Sequence, residues 1–486
     1  MLEGMRRLRA GRCAGVAGFA LSCALACGPA AAERVHRYTV AIDPGLTTLD
    51  VHACFSGAPP VLLQAESLDA PLALMSFRAE GSRRAIEPSG GISLKSVPQD
   101  GCVVYQVDVS HAIRQHDRTG DKVHRVGRDL LTSVGIWLWR PEKLAPDEDI
   151  EIAFELPDGI SVSAPWPPVV SASGATTYRL GHSPIDWPAS VAFGHFRERE
   201  IRVGAARLRM ALLDGAPPAD AEQVQAWIRD SALSVAALYG RFPQPQAQIV
   251  VAPGARGNEP VPWAYVVRGG APAAYFFINQ RRPMAEFFDD WTAVHELAHL
   301  LLPYVNPDDI WLSEGVATYY QNVLRARSGK LDAAQAWLRL VAGFAKGMRS
   351  AQGMTLAQAT ESMYREGTYM RVYWEGAAML FIADVRLRQM TGGKQSLDTA
   401  LAALNECCGS DERAWSAREL FDKLDEVTGT VVFSDIYDSH VSSRDFPDLA
   451  ATYRALGISD AGGGIAFTGA AAEARLRDAI MGAGQP

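Results

Sequence analysis

The chain is organised around residues 285–302, which read Ala-Glu-Phe-Phe-Asp-Asp-Trp-Thr-Ala-Val-His-Glu-Leu-Ala-His-Leu-Leu-Leu. The apolar residues recur at helical spacing, Pro283 suits a first helical position, and Pro303 would end the helix. His295 and His299 are four residues apart, so on a helix both imidazoles point to one side. Two imidazoles aimed at one point are typical ligands of Zn²⁺. The alternative is a core helix whose histidines have hydrogen-bond partners.

Glu296 follows the first of these histidines. Its carboxylate would then lie beside the ion, where it can take a proton from a water molecule. A His-Glu-x-x-His helix of this kind is typical of zinc metallopeptidases, with the glutamate as general base. The pattern therefore predicts Glu296 as a catalytic residue.

A second motif, Trp-Leu-Ser-Glu-Gly, spans residues 311–315 after a loop rich in Pro, Asn and Asp. Ser313 is predicted to cap the helix that follows, which would place Glu314 in its first turn. A catalytic zinc needs three protein ligands and one open position, and Glu314 would complete the set with His295 and His299. The alternative is that Glu314 only stabilises the helix N-terminus.

These two motifs together resemble the gluzincin zinc metallopeptidases, most closely the aminopeptidase N-like and glycyl aminopeptidase-like families. The resemblance implies that His295, His299 and Glu314 bind Zn²⁺ and that Glu296 is the base. It also implies a thermolysin-like α/β subdomain around the zinc helix. In this chain 14 residues separate the second histidine from Glu314, so the connecting loop is shorter than in the aminopeptidase N-like pattern.

A third motif is Tyr373-Trp374-Glu375-Gly376-Ala377. The families carry a Tyr-x-Lys-Gly-Ala sequence whose tyrosine donates to the oxyanion of the reaction. The resemblance implies this role for Tyr373, with Glu375 where lysine is usual. Tyr364 lies in a similar setting and is a rival, and a core tyrosine is the structural alternative.

The families' aminopeptidases also carry a Gly-x-Met-Glu-Asn strand whose glutamate holds the substrate's amino group. Residues 269–275, Gly-Gly-Ala-Pro-Ala-Ala-Tyr, contain no acid. The predicted function is therefore a zinc metallopeptidase of aminopeptidase-like or endopeptidase-like specificity. The strand at residues 274–278 is predicted to bind the substrate backbone. The alternative is an exported binding or scaffold protein that keeps the fold and lacks activity.

The N-terminus resembles a secretory signal peptide. Four arginines precede an apolar stretch from Cys13 to Cys27, and Ala30-Ala31-Ala32 offers a cleavage site after residue 32. We expect a periplasmic or secreted protein with no membrane span, and a lipid anchor on Cys23 or Cys27 as a less favoured alternative. The net charge of −8 and the lack of later basic runs argue against nucleic acid as a partner, so the expected partner is a peptide or protein substrate.

The order of patterns along the 486 residues predicts an α+β multidomain protein. A β-sandwich is expected at residues 33–200, the α/β zinc-peptidase subdomain at 201–310, an all-helical subdomain at 311–456 and a loosely packed tail at 457–486. A strand is expected at residues 134–141. Cys54 and Cys102 are candidates for a disulfide in an oxidising compartment, and Cys407 and Cys408 form an adjacent pair that is either bridged or free.

Overall fold

The computed structural model describes residues 34–86, 90–114, 123–460 and 464–482. The predicted signal peptide at residues 1–32, with Cys23 and Cys27, lies outside these described residues. Within the described ranges, no helix combines the length and the apolar character that a membrane span requires.

The N-terminal part is rich in short strands, as the alternating sequence pattern predicts. Its elements are β1 Arg34–Ile42, β2 Thr48–Cys54, β3 Leu62–Leu63, α1 Ala70–Ala73, β4 Leu74–Ala79, β5 Ile92–Ser93, β6 Cys102–Asp108, α2 Val109–Arg114, β7 Val123–Val126, β8 Asp129–Ser133, α3 Val134–Trp137, β9 Glu148–Glu155, β10 Ser161–Ser163, β11 Pro168–Val170, β12 Thr176–Arg179 and β13 Ser190–Gly194. In the described chain, a seven-stranded sheet has the order β11-β12-β9-β1-β2-β6-β4, and a four-stranded sheet has the order β10-β13-β8-β7.

The two sheets share one hydrophobic core. Phe154 on β9 meets Phe193 on β13 with ring centroids 5.6 Å apart, which joins the sheets at the centre. This architecture confirms the predicted sheet-rich N-terminal region. The strand expected at residues 134–141 is wrong, because the strand ends at Ser133. The Ser133 side chain accepts a hydrogen bond from Gly135 N–H and starts the short helix α3.

The middle part contains β14 Arg199–Val203, β15 Ala206–Leu212, α4 Ala221–Ala236, β16 Gln246–Pro253, β17 Trp263–Val267, β18 Ala273–Ile278, α5 Met284–Asp289 and α6 Thr292–Ala298. Its sheet has the order β14-β15-β16-β18-β17, so β17 is an edge strand. One face packs on the N-terminal core and the other on helices α4 and α6. This sheet therefore contributes to both hydrophobic cores. The domain boundaries predicted at residues 200 and 310 stay predictions.

The helix expected across residues 285–302 is divided into two. Asp290 has an extended backbone, and its side chain accepts a hydrogen bond from Thr292 N–H at 2.7 Å, which starts α6 separately from α5. The end of α6 tightens into a 3-10 turn at His299–Leu301. The two histidines therefore lie at the C-terminal end of a short helix.

Helices dominate the C-terminal part, as predicted. They are α7 Ile310–Arg327, α8 Ala333–Arg349, α9 Leu356–Glu361, α10 Met363–Glu366, α11 Tyr369–Thr391, α12 Leu397–Cys408, α13 Ala417–Thr428, α14 Val432–His440, α15 Ala450–Leu456 and α16 Ala471–Met481, with the hairpin β19 Ile458–Asp460 and β20 Ile465–Phe467 before the last helix. A 3-10 turn at Pro307–Asp309 leads into α7. The tail is less loose than expected, since Ile480 and Met481 are buried in the core.

Helices α7 and α11 cross at a pair of glycines. A Cβ atom on Gly315 would lie 2.6 Å from the backbone of Gly376, and one on Gly376 would lie 2.2 Å from the Trp311 carbonyl. Only glycine fits at this distance. The crossing brings Glu314 on α7 next to Tyr373 on α11.

Candidate metal centre and active site

Three predicted ligands converge at the junction of α6 and α7. The Nε2 atoms of His295 and His299 lie 3.3 Å and 3.6 Å from Oε2 of Glu314. One ligand atom from each residue lies within 4.8 Å of the other two, and all three side chains are buried. This group can bind a metal ion.

The chemistry of the donor set supports this conclusion. Glu314 Oε2 is buried and has no hydrogen-bond partner among the described residues, although it faces both imidazoles. A buried carboxylate oxygen without a partner is costly, and a cation between the three groups would remove that cost. Two nitrogens and one carboxylate oxygen match the ligands of a catalytic zinc site.

The other ring nitrogen of each histidine is also held. His295 Nδ1 lies 2.8 Å from Gln321 Oε1, and His299 Nδ1 lies 2.8 Å from Ser313 Oγ. The prediction that Ser313 caps the helix is wrong, because α7 begins three residues earlier at Ile310 with Asp309 before it. Ser313 instead contacts a predicted metal ligand.

Burial and mutual charge set the protonation states of this group. Burial lowers the pKa of His299 to about 4, so its imidazole is neutral near pH 7, which is the form that binds metals. Burial also acts to lower the pKa of His295, but the nearby carboxylate of Glu314 raises it overall. Burial acts to raise the pKa of Glu314, whereas the two histidines lower it overall, so Glu314 is ionised.

Glu296 and Tyr373 lie beside the three ligands. Burial raises the pKa of Glu296 to about 7, a value suited to a group that accepts and returns a proton. The Tyr373 hydroxyl hydrogen-bonds Glu314, and its ring stacks on His295 with centroids 6.0 Å apart. Tyr364 lines the same cleft but is 78% exposed. The geometry therefore favours Tyr373 over its rival.

Glu375 is directed away from the cleft. Its carboxylate is fully buried and forms an ion pair with Arg371, one turn earlier on α11. Glu375 does not line the cleft, whereas Tyr373 does. Glu375, which stands where the families carry lysine, therefore takes part in the packing of α11 and not in the cleft.

A cleft of about 710 Å³ opens over the centre. Its walls include Trp263, Tyr265, Trp291, Tyr304, Tyr364 and Tyr369. The strand along the cleft is β17, which is the edge strand of its sheet among the described residues, whereas β18 is paired on both sides by β16 and β17. The prediction that residues 274–278 bind the substrate backbone is therefore wrong, because that strand has no free edge.

Sequence reasoning missed two residues of the site. Arg268, at the end of β17, donates from its guanidinium to the His299 carbonyl at 2.9 Å and so holds the last turn of the histidine helix. No local pattern marks this arginine. Gln321 lies seven residues after Glu314, which is two helical turns, so the helical spacing of α7 offered a signal.

Comparison with known proteins bears on the fold. No protein-family model and no curated protein matches the sequence. Solved structures do match, and the chain has the gluzincin, aminopeptidase N-like fold.

Three solved structures illustrate the likeness. An aminopeptidase N family protein from Idiomarina loihiensis is 13% identical, with a TM-score of 0.69 over 87% of this chain and 78% of that one. The M1 zinc metallopeptidase from Deinococcus radiodurans, in a mutant bound to a Tyr-Ser-Ala substrate, is 15% identical, with a TM-score of 0.55 over 86% and 95%. The native yeast LTA4 hydrolase is 11% identical, with a TM-score of 0.52 over 87% and 70%. At these identities the likeness concerns the fold.

Proposed function

We propose that the chain is a zinc-dependent metallopeptidase that hydrolyses peptide bonds. The observation that carries the proposal is the convergence of His295, His299 and Glu314 within 4.8 Å, with Glu314 Oε2 buried and unpartnered. The similar folds of named zinc metallopeptidases support zinc as the ion. A zinc ion held there would supply a Lewis acid that activates water and polarises the scissile carbonyl.

The residues around the ligands supply the rest of the chemistry. Glu296, whose buried carboxylate lies beside the three ligands, accepts the proton of the attacking water and then donates it to the leaving amine. Tyr373 donates its hydroxyl proton in a hydrogen bond to the oxyanion that forms on the carbonyl. Burial raises the pKa of Tyr373, so the hydroxyl keeps its proton at any physiological pH.

The cleft suits an extended peptide. Strand β17, Trp263–Val267, lines the cleft and is the edge strand of its sheet in the described part of the chain, a position suited to strand addition by a substrate. The peptide carried by the similar Deinococcus enzyme supports this class of substrate. The sequence of β17 is Trp-Ala-Tyr-Val-Val and contains no carboxylate to bind a terminal amine. The proposal therefore includes both aminopeptidase-like and endopeptidase-like cleavage. It also includes export of the protein, which the signal-peptide pattern of residues 1–32 supports.

Zinc content and peptide cleavage test the proposal together. Elemental analysis of the purified chain should find one zinc ion per chain, and digestion of a mixed peptide library should give products whose ends identify the cleavage position. Products that differ from the substrate by one N-terminal residue would indicate an aminopeptidase, and internal cuts would indicate an endopeptidase.

A second result would favour the alternative function. One zinc ion per chain without cleavage of any library peptide would indicate an inactive binding or scaffold protein. The absence of an acid on β17 is the observation that keeps this alternative. A chain that binds no zinc would contradict the peptidase function.

A further inference from the structure

A second cluster of metal-ligating side chains lies on the outer face of the seven-stranded sheet. Cys54 on β2 and Cys102 on β6 are direct cross-strand partners, and His52 is two residues before Cys54 on the same face. Glu80 follows β4, and its N–H bonds to the Cys102 carbonyl at 2.9 Å. Three neighbouring strands thus bring four side chains together.

The distances within this cluster are short. His52 Nε2 lies 3.5 Å from Cys54 Sγ and 3.3 Å from Glu80 Oε1. One ligand atom from each of His52, Cys54 and Cys102 lies within 4.8 Å of the other two. The His52 side chain is 42% exposed and that of Glu80 is 56% exposed, so an ion can reach them from solvent. None of these residues lines the cleft over Glu296.

The two cysteines are joined by a disulfide in this structure. A disulfide sulfur is a poor ligand, whereas a thiolate is a strong one for zinc. We propose that reduction of the Cys54–Cys102 disulfide creates a metal site of two thiolates and the His52 imidazole, with Glu80 or water as the fourth ligand.

A dithiol reductant gives two electrons and two protons to the S–S bond, which breaks into two thiols, and the reductant becomes a disulfide. One divalent cation then binds both sulfurs and displaces the two thiol protons to solvent. Two thiolates and an imidazole form a ligand set that zinc favours.

The sheet holds the cluster in place when the bridge opens. Strands β2 and β6 are paired in register from Thr48–Asp108 to Cys54–Cys102, so the two sulfurs stay neighbours without the covalent bond. Arg37 lies opposite Cys54 on β1, and its exposed guanidinium lies 3.9 Å from Glu151. The other disulfide, Cys407–Cys408, belongs to no such cluster within the described residues and is a matched control.

Cobalt titration of the full chain tests the proposal. A Co²⁺ ion bound to thiolates gives an intense near-ultraviolet charge-transfer band, and one bound to the His295, His299 and Glu314 group does not. The reduced chain should bind one more Co²⁺ per chain than the oxidised chain and show this band. C54S/C102S should abolish the band, C407S/C408S should keep it, and H52A should weaken the affinity by about tenfold or more.

Three outcomes of the cobalt titration would overturn the proposal. They are a reduced, folded chain without the band, a band that persists in C54S/C102S, and a band that is lost in C407S/C408S. Circular dichroism of the reduced chain checks the fold. Loss of the native spectrum on reduction would also overturn it, because the site requires paired strands.

Discussion

Ser313 Oγ lies 2.8 Å from His299 Nδ1, one residue before Glu314 on the same helix. In the tautomer that binds a metal through Nε2, the Nδ1–H of His299 donates a hydrogen bond to the Ser313 hydroxyl, and the Nε2 lone pair faces Glu314. Gln321 Oε1 makes the equivalent contact with His295. Helix α7 therefore supplies one predicted ligand and orients the other two.

The first prediction concerns Ser313. Ser313→Ala should weaken zinc binding by about 10–100-fold, because His299 loses the group that fixes its ring. Chelator competition measures the affinity. Ser416, which caps α13 with its side chain, is the control. Ser416→Ala should cost about 1 kcal/mol of unfolding free energy without changing zinc affinity. The same behaviour in Ser313→Ala would mean that Ser313 does not support the ligand.

The second prediction concerns Gln321. Gln321→Leu removes the acceptor of the His295 Nδ1 proton and should weaken zinc binding by about 10–100-fold. Gln321→Glu has nearly the same shape but offers a charged acceptor, which raises the basicity of the histidine and should tighten binding. Isothermal titration with zinc measures both variants. Equal affinities of the two variants would show that the contact has no effect on the site.

The three converging ligands were predictable from sequence, whereas parts of the surrounding helices were not. The spacing of His295 and His299 on a helix and the motif around Glu314 are local patterns, and the structure brings these residues together. The break at Asp290 was not predictable from periodicity, because one side-chain cap on Thr292 N–H competes with continued helix. The start of α7 was placed too late because the 3-10 turn at Pro307–Asp309 leads directly into it.

Long-range placement was the other limit. The apolar runs of β17 and β18 look alike in sequence, and only the sheet order shows that β17 is at the edge. The glycines of the two C-terminal motifs also acquire their meaning in three dimensions, since Gly315 and Gly376 meet at the crossing of α7 and α11. The buried ion pair of Glu375 with Arg371 is likewise visible only in the structure.

The third prediction concerns the proposed base. Glu296→Gln should keep zinc bound, because Glu296 is not one of the three converging ligands, and should lower kcat by about 10²–10⁴-fold through loss of the proton acceptor. Zinc content and the rate on a library-derived substrate are measured together. Glu286→Gln, an acid on α5 outside the cleft, is the control and should leave the rate unchanged. Normal turnover in Glu296→Gln would exclude Glu296 as the base.

The fourth prediction separates the two tyrosines. Tyr373→Phe keeps the ring that stacks on His295 but removes the hydroxyl, so kcat should fall by about 10²–10³-fold with little change in KM. Tyr364→Phe should have a small effect, because this exposed side chain only lines the cleft. Steady-state kinetics on one peptide compare the variants. A larger loss of kcat in Tyr364→Phe would reverse the assignment.

The fifth prediction concerns the buried ion pair on α11. Arg371 and Glu375 are 1% and 0% exposed, so replacing one leaves the other charge buried without its partner. Glu375→Leu should lower the free energy of unfolding by about 3–5 kcal/mol, and Arg371→Met/Glu375→Leu should recover most of it. Zinc affinity should not change, because neither residue lines the cleft. The measurement is denaturant unfolding.

A surface ion pair on the same chain is the control for the buried one. Arg282 and Glu286 form an ion pair at the same four-residue spacing on the surface, so Glu286→Leu should cost less than about 1 kcal/mol.

Burial raises the pKa of Glu375 to about 7 even beside Arg371. Arg371 lowers this pKa, so Arg371→Met should raise it further. The carboxyl is then neutral at pH 5 and more often charged at pH 8, and the variant should be less destabilised at pH 5 than at pH 8. A cost that is equal at both values would mean that Glu375 finds another positive partner or water.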